Sequence, residues 1–417
     1  MISDEVLLKY FLDKNRDDYQ RDNFDAFLDK IGFSFKTPAI HIAGTNGKGS
    51  TASYIASIYK HAGYKVGLFT SPQIDSMNDM IQINNEPISN DKIYDFLTKN
   101  DKLIKKYNLS MFEIITFVAL SYFDSEKCDI AVIECGMGGE IDATNIFEAS
   151  LSIITSVSLE HTAYLGKSIA EIALNKAGII CKNSPVLIGN LVEEALNVIT
   201  KVAAEMKSKV YTIEEANNIE FIGNGYSFGY GEFTDLFIPS LAEYSLIDAR
   251  LAIDAVLILK DIFAVKNEDI KEGLKNCFIP NRLEKLCDFP ALFVDGGHNP
   301  EAFNRLVESM NNVLKGRKLN VVFCSFKDKN LERMLAAIGS IADDLTLTTF
   351  DHPRAREEMD YFLFLNEYKF ENNCVKAITN YLTTSPEDVT LVTGSFAFAS
   401  YVRKLYKEGK LSNVQPQ

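Results

Sequence analysis

The chain has 417 residues, 47% of them apolar and 24% charged. That mix excludes a disordered chain, a coiled coil and a collagen-like repeat, and at about 100–200 residues per domain it predicts two or three domains. Asp plus Glu outnumber Lys plus Arg by 57 to 43, a formal net charge of −14, so the surface repels phosphate backbones and anionic lipid. Neither nucleic acid nor a membrane is an expected partner.

The N-terminus, MISDEVLLKYFLDKNRDDY, has acids from residue 4 and no basic-then-apolar signal pattern. No stretch reaches about 18 consecutive apolar residues. The seven Cys form no C-x-x-C pair and sit mostly in apolar runs, as Cys135 does in IAVIECG, so they read as buried free thiols of a reducing compartment. A soluble, cytoplasmic chain is expected.

Short β-branched runs then alternate with segments of helical spacing. PAIHIAG (38–44), YKVGLFTS (64–71), CDIAVIECG (128–136), LSIITSV (151–157) and PVLIGN (185–190) are apolar throughout, as strands buried on both faces should be. TASYIASIYKHAG repeats its apolar residues along one helix face. Alternation of this kind predicts βαβ crossovers and an α/β fold with a mostly parallel sheet. The run 211–240 reads instead as short alternating strands with Gly-containing turns, a small antiparallel excursion. A second α/β series starts at ALFVDGG (291–297) and continues through LNVVFCSF (319–326), DLTLTTF (344–350) and DVTLVTG (388–394). Pro280 and Pro290 flank RLEKLCD, and the domain boundary is placed there.

The strongest local signal is HIAGTNGKGST at 41–51. A buried strand ends at Ala43, a Gly-rich turn follows, and Ser50 opens a helix. Gly44 and Gly47 let backbone amides face an anion, Lys48 adds a full charge, and the helix N-terminus adds a partial one. The pattern departs from G-x-x-x-x-G-K-[ST]: Ile42 holds the first Gly position, and Gly49 displaces the hydroxyl to Ser50 or Thr51. In VIECGMGGEIDATN (132–145), Glu134 ends a buried strand. There it is either a carboxylate for Mg²⁺ beside nucleotide phosphates or a strand-end surface acid. In TSVSLEHTAYLGKSIAEIALNKAGII (155–180), His161 reads as a loop histidine or a ligand. Lys176 lies in an apolar segment, where an unpaired ammonium is costly unless it is chemically changed.

GTNGKGS, TSP at 70–72, ECGMGGEIDATN, LEHTAYLG, KAGI, RLE at 282–284 and DGGHNP at 295–300 stand in this order along the chain. Together these blocks resemble the folylpolyglutamate synthase/dihydrofolate synthase family of the Mur ligase superfamily, over nearly the whole sequence. The resemblance implies a P-loop-type ATPase domain over 1–284 that binds ATP and folate. It also implies a C-terminal Rossmann-like α/β domain over 290–417 that serves glutamate. The implied reaction is ATP-dependent amide formation: a folate carboxylate takes the γ-phosphate, and the amino group of L-glutamate then displaces phosphate from the acyl phosphate. The substrate is a tetrahydrofolate, dihydropteroate or both, and the enzyme is a monomer.

Matched by position, the resemblance implies that Gly44, Thr45, Asn46, Gly47, Lys48, Gly49 and Ser50 hold ATP, with Arg282 and Asp295 contacting the nucleotide. Ser71 and Glu134 would ligate one Mg²⁺, and His161 with a carbamylated Lys176 a second. Asp142 would face the pterin, and His298 and Ser395 the incoming amino acid. Lys48, His161, Lys176 and His298 form the implied catalytic set. Several positions depart from the family pattern. SPHL reads SPQI with Gln73, and an arginine-rich stretch reads NDMIQ at 78–82, with Asn78 and Met80 among the departures. GGR reads GGE with Glu140, HQ-x-x-N is replaced by Tyr244, Ser245 and Asp248, and GSLY reads GSFA with Ala397. These leave open a diverged ligase joining another amino acid to another carboxylate. A third reading is a nucleotide-binding regulator without catalysis. Against it stands the intact set Lys48, Ser71, Glu134, His161 and Lys176.

Overall fold

The apolar runs become the strands of two sheets in the computed structural model, which describes residues 2–11, 14 and 21–411. The chain divides into two units. One comprises Met1–Asn217, Gly229–Leu236 and Ile247–Cys277; the other comprises Asn218–Phe228, Phe237–Leu246 and Phe278–Gln417.

The first unit is built on an eight-stranded sheet. Its strands are β1 (Ala39–Ala43), β2 (Val66–Phe69), β3 (Ile81–Ile83), β4 (Glu86–Pro87), β5 (Ile130–Glu134), β6 (Leu151–Ile154), β7 (Val186–Ile188) and β8 (Val210–Thr212), in the order β4-β3-β2-β5-β1-β6-β7-β8. From β2 to β8 every pairing is parallel. The short edge strand β4 and its neighbour β3 pair antiparallel. The central strands β1 and β5 are buried at every position, which is why their sequences are apolar without alternation. Helices Lys48–His61, Met111–Ser125 and Ile169–Ala177 follow β1, β4 and β6 in the chain. The last two open on capping boxes, Ser110 with Glu113 and Ser168 with Glu171.

β9 (Asn217–Ile222), β10 (Gly225–Tyr230) and β11 (Phe233–Ile238) form the small three-stranded sheet, joined by two-residue turns. Two-residue connections impose antiparallel pairing.

The second unit carries a six-stranded sheet of β12 (Glu284–Cys287), β13 (Ala291–Val294), β14 (Leu319–Phe323), β15 (Asp344–Thr348), β16 (Lys369–Glu371) and β17 (Val389–Thr393), in the order β12-β13-β17-β14-β15-β16. β12 is antiparallel to β13, and the other pairings are parallel. RLEKLCD, read from sequence as the connection between domains, therefore contains the edge strand β12. The last segment of this unit begins at Phe278 and takes Glu284 with it, because Glu284 pairs with Val294 in the sheet. Asn299 caps helix Pro300–Leu314 by accepting the Ala302 amide (2.9 Å), with Pro300 at its first position. Among the described residues no helix is long and apolar enough to cross a membrane, and the seven Cys are all free thiols.

Candidate active site

β1 ends at Ala43 and the helix Lys48–His61 starts five residues later, so the loop 44–47 lies at the carboxyl edge of the parallel sheet, where α/β folds place ligands. Gly47 caps the helix with φ +86°, a left-handed conformation that side chains adopt only with strain. The place a Cβ would take there is filled by Asp248 Oδ1. The helix thus begins at Lys48, two residues earlier than its apolar pattern suggests.

The end of β6 pins this loop. The Thr45 amide donates to the Ser156 carbonyl (2.9 Å) and the Asn46 amide to Ser156 Oγ (2.8 Å). Thr155 Oγ1 donates to the Asn46 carbonyl (2.6 Å), and the Ser158 amide to Thr45 Oγ1 (3.0 Å). Ser50 Oγ and Thr51 Oγ1, in the first helical turn, are buried with no hydrogen-bond partner.

Glu134, at the end of β5, is set beside the loop by the register, in which it opposes Ile42. Its carboxylate is buried, accepts the Ser71 amide (2.9 Å), and lies 4.0 Å from Lys48 Nζ. Lys48 Nζ also donates to the Thr45 carbonyl (3.3 Å). A Cβ on Gly49 would approach Glu134 Oε2 to 3.1 Å. The bare backbone therefore lets carboxylate, helix start and ammonium share one small space.

The loop after Glu134 packs on the end of helix Ile169–Ala177. The Glu140 amide donates to the Asn175 carbonyl (2.8 Å), and Asn145 Nδ2 bridges the Glu140 and Gly178 carbonyls (3.1 Å each). The ECGMGGE-DATN and KAG blocks are thus stitched into one surface. Lys176 is 2% exposed. Burial, reinforced by the Lys48 ammonium, brings its pKa down to about 7. His161 has φ +50° and its Nε2 lies 3.8 Å from Glu160. Asp142 is buried, and its carboxylate accepts the amides of Met137 (2.7 Å) and Thr144 (3.0 Å) and the Thr144 hydroxyl (2.6 Å). It organises its own loop, and burial raises its pKa.

In the second unit, Asp295 follows β13. Its carboxylate accepts the Tyr244 hydroxyl (2.7 Å) and the amides of Leu283 (2.8 Å) and Gly297 (2.8 Å). His298 Nδ1 lies 3.1 Å from the Gly296 carbonyl, a bond that makes Nδ1 the protonated nitrogen. Arg282 is half-buried, with its guanidinium over the Phe396 ring at 5.4 Å. Ser395 caps helix Phe396–Lys407 by accepting the Phe398 amide (3.2 Å). The site residues thus fall into two groups, one in each unit: 44–50, 71, 134, 142, 161 and 176 in the first, and 282, 295, 298 and 395 in the second.

Known proteins match both parts of the chain. Residues 42–229 match the Mur ligase middle domain and residues 281–396 the Mur ligase glutamate ligase domain. The dihydrofolate synthase/folylpolyglutamate synthase of Bacillus subtilis is 32% identical over 89% of this chain and 91% of its own length. The chain belongs to the folylpolyglutamate synthase/dihydrofolate synthase family. Mycobacterium tuberculosis folylpolyglutamate synthase complexed with ADP superposes with a TM-score of 0.88 at 26% identity, covering 99% of both chains. A folylpolyglutamate synthase complex with AMPPCP and folate gives 0.86 at 28% identity, covering 97% of this chain and 99% of that one. As a member of this family the chain is an ATP-dependent carboxylate–amine ligase.

Among the described residues no three His, Cys, Asp or Glu side chains converge. A metal here would therefore draw on hydroxyl, phosphate and water oxygens beside Glu134, the sparse protein ligation that Mg²⁺ accepts. The buried carboxylate and the orphaned hydroxyls of Ser50 and Thr51 suit a hard cation and its phosphates.

Two features of the site lie within HIAGTNGKGST and TSVSLEHTAYLG but have no expected role there. Thr155 and Ser156, which hold the loop 44–47, have as their only sequence signal a polar pair closing an apolar strand. The other is His41, fully buried in β1. Its Nε2 contacts Thr144 Oγ1 (2.8 Å) and Cys135 Sγ (3.1 Å), while Nδ1 has no partner. A Thr144 hydroxyl that donates to Asp142 leaves its lone pairs for His41, so Nε2 carries the proton. Burial, with the Arg21 charge, pushes the His41 pKa down to about 3. The unfolded chain therefore binds this proton more readily. The neutral ring's contribution is complete above about pH 6.5 and is lost as pH falls toward 3, on the order of 4 kcal/mol across the window. Urea midpoints measured from pH 7 to 4 are expected to fall less steeply in His41→Gln than in the parent; equal slopes would contradict this.

Proposed function

We propose that this ligase adds L-glutamate to a folate, extending a tetrahydrofolate tail, converting dihydropteroate to dihydrofolate, or both, through an acyl phosphate. The observation that carries the reading is the pairing of Lys48 with buried Glu134 at the head of a Gly-rich strand–loop–helix. It provides for a triphosphate in a chain of net charge −14.

In this reading the amides of 44–50 and the Lys48 ammonium bind the β- and γ-phosphates, and Arg282 is a further nucleotide contact. Ser71, Glu134, His161 and Lys176 as its carbamate would hold two Mg²⁺, which supply charge neutralisation between phosphate and carboxylate. A neutral amine is the form that reacts with CO₂, and the lowered pKa of Lys176 favours that form near neutral pH. Asp142 shapes the pterin side through its loop. His298, with Nδ1 committed to Gly296, offers Nε2 toward the amino acid beside Ser395. Most of the acceleration comes from positioning two anions and neutralising their repulsion.

A second reading, a different carboxylate substrate, is favoured by the stretch 78–82. Asn78 Nδ2 donates to the Asn90 side chain (2.8 Å) and Gln82 Nε2 to the Asp79 carbonyl (2.7 Å). These side chains bind their own loop and bring no positive charge to a polyanionic tail.

The test is Mg²⁺-dependent ADP release with glutamate and dihydropteroate, tetrahydrofolate or no folate. Release with either folate supports the proposal, and release with neither moves it to the second reading. Glu134→Ala is expected to abolish release by removing both the metal carboxylate and the counter-charge of Lys48. Turnover within tenfold of the parent would refute the assignment of Glu134.

A further inference from the structure

Arg282 occupies an unusual piece of backbone. Asn281 before it and Leu283 after it both have positive φ, +58° and +43°, conformations that cost non-glycine residues of order 1–3 kcal/mol each unless the surroundings enforce them. Here four hydrogen bonds hold the two residues, while Asn281 Oδ1 is buried without a partner. The Asn281 amide donates to Glu284 Oε2 (2.9 Å), its Nδ2 to Ser400 Oγ (2.7 Å), and its carbonyl accepts the Gly296 amide (2.8 Å). The Leu283 amide donates to Asp295 Oδ2 (2.8 Å). Glu284 is in turn held by Arg403 Nε, 2.9 and 3.0 Å from its two oxygens, in a buried ion pair. Two strained residues clamped on both sides leave Arg282 a fixed starting direction.

Its far end is defined as well. The guanidinium lies over the Phe396 ring, and the two side chains meet at Gly296. A Cβ there would come within 2.6 Å of Phe396 Cδ2, 3.2 Å of Arg282 Nη1 and 3.3 Å of the Asn281 carbonyl. Phe396 is only half-buried and opens a helix, so its ring is not needed to fill a core.

We propose that Phe396 is a positioning residue of the ligase. Its ring face orients the Arg282 guanidinium toward nucleotide phosphate, on a turn that the Glu284–Arg403 pair holds rigid. An aromatic face attracts the guanidinium while leaving its N–H edge free to donate, so the charge is aimed without being neutralised. An acidic partner would hold the arginine as firmly but cancel the charge that a phosphate needs. The inference rests on the reading of Arg282 as a nucleotide contact.

The test is steady-state kinetics with ATP varied, on Arg282→Ala, Phe396→Ala, Phe396→Tyr and the double variant Arg282→Ala/Phe396→Ala, with thermal melting of each. Arg282→Ala is expected to raise KM for ATP. Phe396→Ala should raise it about 3- to 30-fold with kcat within about twofold, the range a cation–π contact spans. Phe396→Tyr should restore the parent value, and the double variant should be no worse than Arg282→Ala. A silent Phe396→Ala beside a defective Arg282→Ala overturns the positioning role alone. A silent Arg282→Ala overturns both the role and the nucleotide reading. A KM defect in Phe396→Ala that adds in full to that of Arg282→Ala, or that tracks a loss of melting temperature, also overturns it.

Discussion

With Lys48 replaced by alanine, ATP-dependent ADP formation is expected to fall by about three orders of magnitude or more, with the fold intact. Lys48 opens the helix after the phosphate loop, and its ammonium is held between the Thr45 carbonyl (3.3 Å) and Glu134 (4.0 Å). Removing it withdraws the full positive charge nearest the loop. It also leaves the buried Glu134 carboxylate to repel the triphosphate that Lys48 would have drawn in. Preorganised charges aimed at a reacting phosphate act without solvent reorganisation, and the loss of one such donor alone costs about 10²–10³ in rate. The adverse effect of Glu134 adds to that. The side chain is still partly exposed, so its removal opens no large cavity. Single-turnover ADP release and equilibrium binding of an ATP analogue check this, and turnover within tenfold of the parent would refute the phosphate-loop assignment. Lys48→Arg is not expected to recover activity, because a planar guanidinium cannot take the place of a compact ammonium.

Lys176→Ala is expected to lose about 100-fold or more of the glutamate-dependent activity, and millimolar acetate or formate should restore part of it. The buried amine, with its pKa near 7, is deprotonated in a large fraction of molecules at neutral pH. In the proposed carbamylation its nitrogen lone pair would form the N–C bond to CO₂, with one proton released. The product is an anionic oxygen ligand where a bare ammonium would be both desolvated and repelled by Lys48. A small carboxylate in the cavity left by the truncated side chain supplies the same oxygens. Parent activity in Lys176→Ala, or an unmodified ammonium in electron density of the Mg²⁺- and nucleotide-loaded enzyme, would overturn the carbamate.

Most of the fold is legible because its signals are local. β1, β5, β6, β7, β13, β14, β15 and β17 are interior strands buried at almost every position, so each is written as a run rich in apolar and β-branched residues. The strands that escaped the pattern lie at or next to the sheet edges. β3, β4 and β16 have two or three residues, and β12 carries Glu284 and Lys285 between two prolines. An edge strand is specified by the ladder of its neighbour more than by its own composition.

The candidate site divides in the same way. GTNGKGS, the Glu134 strand end and the DGGHNP block announce themselves because phosphate loops, strand-end acids and helix caps depend on residues close in sequence. The sequence by itself determined two α/β sheets, a Gly-rich strand–loop–helix turn and membership of a ligase family. Only the tertiary structure decided that Thr155 and Ser156 anchor that loop across more than a hundred residues, that Asp248 fills the space beside Gly47, and that Arg282 lies on Phe396. A hydrogen bond or ring contact between distant residues asks only that two groups be complementary and close. Closeness is set by how strands and helices pack, and it leaves no periodicity in the chain to read.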